Sequence, residues 1–222
     1  MLVAKMSNVY SMFVERGWRE IIIRLDQSLG TQYFDFSPVK TLELGLDPER
    51  SNAYRGSAKD VCHILHQLGI APGSSIIDIG AGKGRAMVAM ARFPFETIAG
   101  VEISPALTEA AKRNFKRAFL NNRTEMTTSC ASVFDDYDTF TYFYFYNPFP
   151  VEVLRDVMVH IRSSLLNKPR EAWLIYNAAT DVEVDKIICM DGVISRTSEH
   201  RPEGRRPLVV YRHHPEDQVQ LT

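Results

Sequence analysis

Apolar side chains recur at helical spacing over the first thirty residues of the chain. They are Leu2, Met6, Val9, Phe13, Trp18, Ile21, Ile22, Leu25 and Leu29. Spacings of three and four residues put them on one face of an amphipathic helix, with a break predicted near Gly17 and an end at Gly30. From 31 to 57 the periodicity fades and prolines and glycines interrupt the chain, which indicates an irregular arm. The apolar face suits a lid or substrate-side cap, and a homodimer interface would use the same face.

Beyond the arm, short β-like runs alternate with helical patterns. Strands are predicted at 76–79, 97–103, 125–131, 141–146 and 172–176, and helices at 61–68, 85–92, 105–119, 153–165 and 181–189. Two last strands, 193–197 and 207–211, have no helix between them, so they should form an antiparallel hairpin. The pattern predicts a doubly wound, Rossmann-like α/β fold with a seven-stranded, mostly parallel sheet and an antiparallel C-terminal hairpin. The expected organisation is an N-terminal helical arm over 1–53 and one domain over 54–222.

Composition and charge exclude few functions but set the expected environment. The formal net charge of −1 gives no overall attraction to nucleic acid, although a local basic patch stays possible. Cys62, Cys130 and Cys189 are isolated, so neither a disulfide framework nor a zinc site is indicated, and no other metal site is expected. No apolar run approaches the ~20 residues of a membrane span, and no signal peptide is recognisable. A cytoplasmic protein without a membrane partner is therefore expected.

A glycine loop lies where the first predicted strand meets its helix. From Asp78 to Gly84 it reads Asp-Ile-Gly-Ala-Gly-Lys-Gly. The dinucleotide fingerprint would require a third glycine at position 85, which is Arg85 here. A carboxylate at Asp78 would repel a pyrophosphate but attract the ammonium group of an amino-acid ligand. The loop therefore favours S-adenosylmethionine, which carries that ammonium and has no phosphate.

A second acidic residue follows at the end of the next strand. Glu102 lies about 20 positions after the glycines, the separation at which an acid can accept both ribose hydroxyls. Ile103 is then placed to contact an adenine ring. Any one of these features could be a simple turn or helix cap, but their combination points to a nucleoside-bearing ligand.

The loop and Glu102 resemble motifs I and II of class I S-adenosylmethionine-dependent methyltransferases. The string from Tyr54 to Arg113 is similar to bacterial methyltransferase-domain proteins of mostly unassigned substrate. The resemblance implies a pocket for S-adenosylmethionine, whose predicted residues are Asp78, Gly80, Ala81, Gly82 and Gly84 around the methionine end, Glu102 at the ribose, and Ile103 at the adenine. Many relatives have an aspartate after the third strand. Ala131 stands in its place here, so Ser132 is expected to serve the adenine, and Asp135 is a weaker substitute.

A third segment follows the fourth predicted strand, at the sheet edge where open α/β folds bind ligands. Asn147-Pro148-Phe149-Pro150 resembles the Asn-Pro-Pro-Phe/Tyr motif of methyltransferases that act on amines of nucleobases or protein side chains, with the aromatic residue one position early. The resemblance implies that Asn147 and Pro148 accept hydrogen bonds from the attacking nitrogen and that Phe149 forms a wall of the site. A local turn at Asn147 is the alternative interpretation.

The leading hypothesis is an enzyme that moves a methyl group from S-adenosylmethionine to a nitrogen, or less readily an oxygen, of a small molecule or protein side chain. The alternative is a non-catalytic module that binds S-adenosylmethionine, for which the altered segments at Ala131 and Asn147 leave room. A nicotinamide-dependent oxidoreductase is disfavoured by Asp78 and by the glycine spacing.

Overall fold

The computed structural model describes residues 17–47, 59–177, 182–201 and 207–216. Its strands are β1 (Ser75–Ile79), β2 (Thr97–Glu102), β3 (Thr124–Thr128), β4 (Tyr142–Tyr146), β5 (Ala172–Asn177), β6 (Ser195–His200) and β7 (Leu208–His213). Its helices are α1 (17–29), α2 (Lys59–Leu68), α3 (Arg85–Met90), α4 (Pro105–Arg117), α5 (Val151–Asn167) and α6 (Val182–Ile188). The apolar positions predicted before residue 17 and the predicted boundary between 53 and 54 lie outside the described residues.

The strands form a single sheet in the order β3-β2-β1-β4-β5-β7-β6. The pairs among β1 to β5 are parallel, whereas β7 runs antiparallel to both β5 and β6. The predicted fold class is therefore confirmed, including the reversed strand and the hairpin near its end. β1 and β4 are central strands covered on both faces of the sheet, and all of their residues except Tyr146 are buried. The edge strand β3 is mostly exposed and polar, which explains its weak signal in the sequence.

Each face of the sheet has its own hydrophobic core. Alternate residues of β4 divide between the two faces: Tyr142 and Tyr144 pack with α2, α3 and the arm, whereas Phe143 and Phe145 pack with α5 and α6. The aromatic run of β4 is thus core packing. The carboxyl ends of β1, β2 and β4 meet at one edge of the sheet, where the glycine loop begins, and this edge holds the candidate site.

In the described part of the N-terminal arm, α1 starts at Gly17, which has a left-handed φ of +74° that glycine adopts readily. Gly30 ends α1 as predicted, also with a positive φ of +65°. The helix docks through Ile23, which is fully buried. The predicted apolar face points outward instead: Trp18, Ile22, Leu25 and Leu29 are all exposed. A dimer interface on that face stays a prediction.

In the described part of the chain, no helix is long and apolar enough to cross a membrane. The same residues contain no group of three or more side chains arranged to hold a metal ion. The three cysteines are free thiols.

Candidate cofactor and acceptor site

The glycine loop is held tightly against β2. The backbone N–H groups of Gly80 and Ala81 both donate to the carbonyl of Val101, at 2.9 and 3.0 Å. Gly84 begins α3 with a left-handed φ of +74°, and a Cβ there would lie 2.5 Å from the ring of Phe115. Only glycine fits that position, because a side chain would displace a packed aromatic residue. The loop is therefore fixed by β2 at its start and by α4 at its end.

Asp78 is buried in β1 at the root of this loop. Its neighbours in the sheet register are Gly100 of β2 and Tyr144 of β4, and the residue is only 2% exposed. Burial, and next the nearby carboxylate of Glu102, raise the pKa of Asp78 to about 8. A carboxyl group in this setting holds a proton at neutral pH until a cation approaches it. An ammonium group would supply that cation.

Glu102 lies at the end of β2 and faces the glycine loop. Its Oε2 accepts a hydrogen bond from the backbone N–H of Gly82 at 2.8 Å, and its Oε1 accepts one from Ser104 N–H at 2.9 Å. Burial raises the pKa of the Glu102 carboxyl, although these backbone donors oppose the shift. Each carboxylate oxygen has a second acceptor position, so the group can still accept from two hydroxyls. The two backbone donors fix the orientation of the carboxylate.

The segment expected to serve the adenine lies next to Glu102. Ser129 N–H donates to the backbone carbonyl of Glu102 at 3.0 Å, as the last hydrogen bond between β3 and β2. Ser132 Oγ lies 3.1 Å from Cys130 Sγ, and the carbonyl of Ser132 accepts from His160 Nε2 at 3.2 Å. Ala131 is buried. Ser132 thus lies three residues after the residue that is hydrogen-bonded to Glu102, and its hydroxyl lies next to the thiol of Cys130.

The segment after β4 packs directly on the glycine loop. A Cβ added to Gly80 would lie 2.2 Å from Cβ of Pro148, so the two residues are in contact. Asn147 has a left-handed φ of +45°, a conformation that asparagine adopts more readily than most residues. Phe149 differs: it is 6% exposed and packs edge-on against Phe145, with ring centroids 6.5 Å apart. The structure brings Asn147 and Pro148 to the loop and places Phe149 in the core.

Sequence reasoning missed a set of contacts behind the loop. Lys83 and Arg85 are buried, and their ion-pair partners, Asp35 and Glu20, belong to the arm. Asn114 of α4 is fully buried between the arm and the loop. Charged residues next to glycines in a tight loop signal that partners are needed, since buried charges are rarely left unpaired. The sequence has no signal for where those partners are.

Comparisons with known proteins show a similar family and similar folds. Residues 42–138 match the sequence model of the family described as protein-L-isoaspartate(D-aspartate) O-methyltransferase. That range includes the glycine loop and Glu102 and ends before Asn147. No curated protein is significantly similar in sequence.

Solved structures share the fold at low sequence identity. A protein from Pyrococcus horikoshii OT3 is 17% identical with a TM-score of 0.55, over 69% of this chain and 88% of that chain. The ribosomal protein L11 methylase of Lactobacillus delbrueckii subsp. bulgaricus is 16% identical with a TM-score of 0.55, over 68% and 76%. A variant of MtNAS in complex with S-adenosylmethionine is 17% identical with a TM-score of 0.54, over 70% of this chain and 61% of its own.

These likenesses establish the fold, and this chain spans about 61% of the length of MtNAS. S-adenosylmethionine is the cofactor of the class I methyltransferases. The fold thus resembles that of class I S-adenosylmethionine-dependent methyltransferases, and residues 42–138, which include the glycine loop and Glu102, are similar to a family of methyltransferases.

Proposed function

We propose that this protein transfers a methyl group from S-adenosylmethionine to a nitrogen atom of a small molecule or a protein side chain. The observation that carries the proposal is the contact between Pro148 and Gly80. It sets the Asn147-Pro148 segment against the loop proposed to hold the methionine end. Methyl transfer from a sulfonium requires chiefly an in-line nucleophile, so positioning alone can supply much of the rate.

The residues present fit this cofactor. Asp78 is a buried carboxyl whose pKa is raised by burial and by Glu102, and an ammonium group would offset that cost. The backbone of Gly80, Ala81 and Gly82 would line the methionine end, with Gly84 closing the loop. The oriented carboxylate of Glu102 would accept both ribose hydroxyls.

The adenine side of the site is formed by residues that follow β2 and β3. Half-buried Ile103 would lie against the adenine ring, and Ser132 would serve the place of the aspartate found in many relatives. Bound S-adenosylmethionine supplies an electrophilic methyl group. The chain's own task is to hold it and to exclude competing nucleophiles.

On the acceptor side, two oxygen atoms would orient the nucleophile. The amide oxygen of Asn147 and the carbonyl of Pro148 would accept hydrogen bonds from the N–H groups of the attacking amine, directing its lone pair towards the methyl group. Phe149 would support this segment from the core through its contact with Phe145, rather than stack on the acceptor.

Incubation of the protein with a cell extract and S-adenosylmethionine labelled in the methyl group tests this function. We expect labelled product from the wild-type protein. The Asn147→Ala variant should lower turnover by about 10- to 100-fold, because a misplaced nucleophile loses most of the benefit of positioning. Its affinity for S-adenosylhomocysteine should stay within about twofold, since Asn147 is proposed to contact only the acceptor. Unchanged turnover in this variant would contradict the acceptor assignment. Binding of S-adenosylhomocysteine by the wild-type protein without any turnover would favour the non-catalytic alternative.

An oxygen acceptor is the second candidate, favoured by the family match over residues 42–138, whose description names an O-methyltransferase. The labelled product separates the two candidates. Carboxyl methyl esters release labelled methanol in mild base, whereas methylated amines keep the label. We expect base-stable label, and volatile label would replace the nitrogen acceptor with a carboxylate.

The raised pKa of Asp78 predicts a pH dependence of cofactor binding. Below about pH 8 the carboxyl is protonated in the free protein, and a bound ammonium group favours its ionised form. Binding of S-adenosylhomocysteine should therefore release a proton from the protein, and affinity should rise as pH increases from 6 towards 8. Titration calorimetry in buffers of different ionisation enthalpy measures that proton. The Asp78→Asn variant should lose the proton release, and equal release from both proteins would contradict the role of Asp78.

A further inference from the structure

The charged residues of the glycine loop are tied to the N-terminal arm. Lys83 Nζ lies 2.5 Å from the carboxylate of Asp35 and donates to Ser37 Oγ at 3.1 Å. The Lys83 side chain is only 5% exposed, so its charge depends on these partners. Two residues on, Arg85 pairs with Glu20 of α1, and its guanidinium lies 5.2 Å from the centroid of the Phe36 ring. Lys83 of the loop and Arg85 at the start of α3 are thus both paired with carboxylates of the arm.

Asn114 of α4 connects the same two segments through their backbones. Its Nδ2 donates to the carbonyl of Lys83 at 3.0 Å and to the carbonyl of Asp35 at 2.9 Å. Its Oδ1 accepts from the N–H of Asp35 at 3.0 Å. A fully buried amide with three such bonds fixes the arm and the loop relative to each other.

We propose that Asp35 and Asn114 are positioning residues for the cofactor, acting through Lys83 on the conformation of the glycine loop. This inference rests on the proposed function, because it concerns affinity for S-adenosylmethionine. It gives the described arm a role at the cofactor loop, in addition to any role as a substrate-side cap.

A chain of contacts connects the arm to Glu102, the residue proposed to bind the ribose. Asp35 and Asn114 hold the side chain and the carbonyl of Lys83, the residue that follows Gly82. Gly82 N–H in turn donates to Glu102 Oε2 at 2.8 Å. A shift of Lys83 would move that donor and rotate the carboxylate. Losing the arm contact therefore weakens the cofactor site without removing any group that touches the cofactor.

The test compares Asp35→Asn with Lys83→Met and with the double variant. Asp35→Asn keeps the size of the side chain and removes its charge. Each single variant should raise the Kd for S-adenosylhomocysteine by about 5- to 10-fold, the range of a moderate coupling between sites. The Kd of the double variant should not exceed the larger of the two single-variant Kd values, because both changes break the same contact. The KM for S-adenosylmethionine should rise while kcat stays within about twofold.

Arg19→Met is the matched control. Arg19 donates to the carbonyl of Ala118 at 2.9 Å and thereby docks the arm on α4 away from the loop. This variant should lower the melting temperature slightly and leave the Kd unchanged. An equal loss of affinity in Arg19→Met, or additive effects in the double variant, would overturn the inference. If the wild-type protein itself fails to bind S-adenosylhomocysteine, the proposed function falls instead.

Discussion

The Gly80→Ala variant is expected to lower the rate of methyl transfer by at least about 100-fold and to weaken the binding of S-adenosylhomocysteine. Gly80 has a φ of +83°, and an added Cβ would lie 2.2 Å from Cβ of Pro148. No side chain can give way there, because proline is rigid and its backbone follows the end of β4. The acceptor segment must therefore move off the loop, and displacements of about 1 Å can cost a hundredfold in rate. Calorimetry and the labelled-methyl assay measure both effects.

The Gly73→Ala variant distinguishes the effect of the contact with Pro148 from the effect of backbone strain. Gly73 has the same φ of +83°, but a Cβ there would meet no atom within 4 Å. This variant should lose about 1 kcal/mol of stability from its left-handed backbone and keep its binding and activity. If the two alanine variants lost activity equally, strain alone would explain the result and the contact with Pro148 would carry no functional meaning.

The Glu102→Gln variant is expected to weaken S-adenosylhomocysteine binding by about 10- to 100-fold. Glutamine offers one acceptor oxygen where the carboxylate offers two, and both carboxylate oxygens already accept from backbone N–H groups. The amide NH₂ would face one of those donors, so the side chain must rotate away from the loop. Binding and thermal unfolding should be measured on the same samples, because Glu102 also ties the loop to β2.

Glu125→Gln serves as the control for Glu102→Gln. Glu125 lies on the adjacent strand β3 and is exposed. Its substitution removes the same charge from the protein at a position that contacts neither the loop nor Glu102. Affinity should be unchanged in this variant. Equal affinities in the Glu102→Gln and wild-type proteins would show that the ribose is bound elsewhere.

Most of the fold was predictable because its signals are local. The apolar runs of β1 and β4, the proline and serine that start α4, and the missing helix between β6 and β7 each reflect a short-range rule. Ser104 caps α4 as expected, with its Oγ accepting from Leu107 N–H at 3.3 Å. Boundary errors of three residues occur at β3, predicted to reach residue 131 but ending at 128, and at β6, predicted to end at 197 but reaching 200. Ser129 N–H makes the last hydrogen bond of the ladder between β3 and β2, to the carbonyl of Glu102.

The site was predictable only in its short-range parts. The glycines, Asp78 and Glu102 carry recognisable spacing, and the position of Asn147 after a central strand placed it near the loop. The contacts of Lys83 with Asp35 and of Asn114 with the arm join residues 48 and 79 positions apart, so periodicity could not reveal them. The apolar periodicity of α1 led to a wrong expectation of which face is buried. The helix packs on the domain through Ile23, whereas its most regularly spaced apolar residues face outward.

The position of β7 in the sheet has a consequence for the order in which the protein assembles. In the described structure β6 pairs only with β7, and β7 itself fills the gap beside β5. During synthesis β6 leaves the ribosome before its partner exists, while the edge of β5 is still open. Leu208, Val209 and Val210 are almost completely buried once β7 is inserted. Closure of the sheet is therefore a late, long-range step, and a nascent chain paused before β7 would expose an edge strand prone to aggregation.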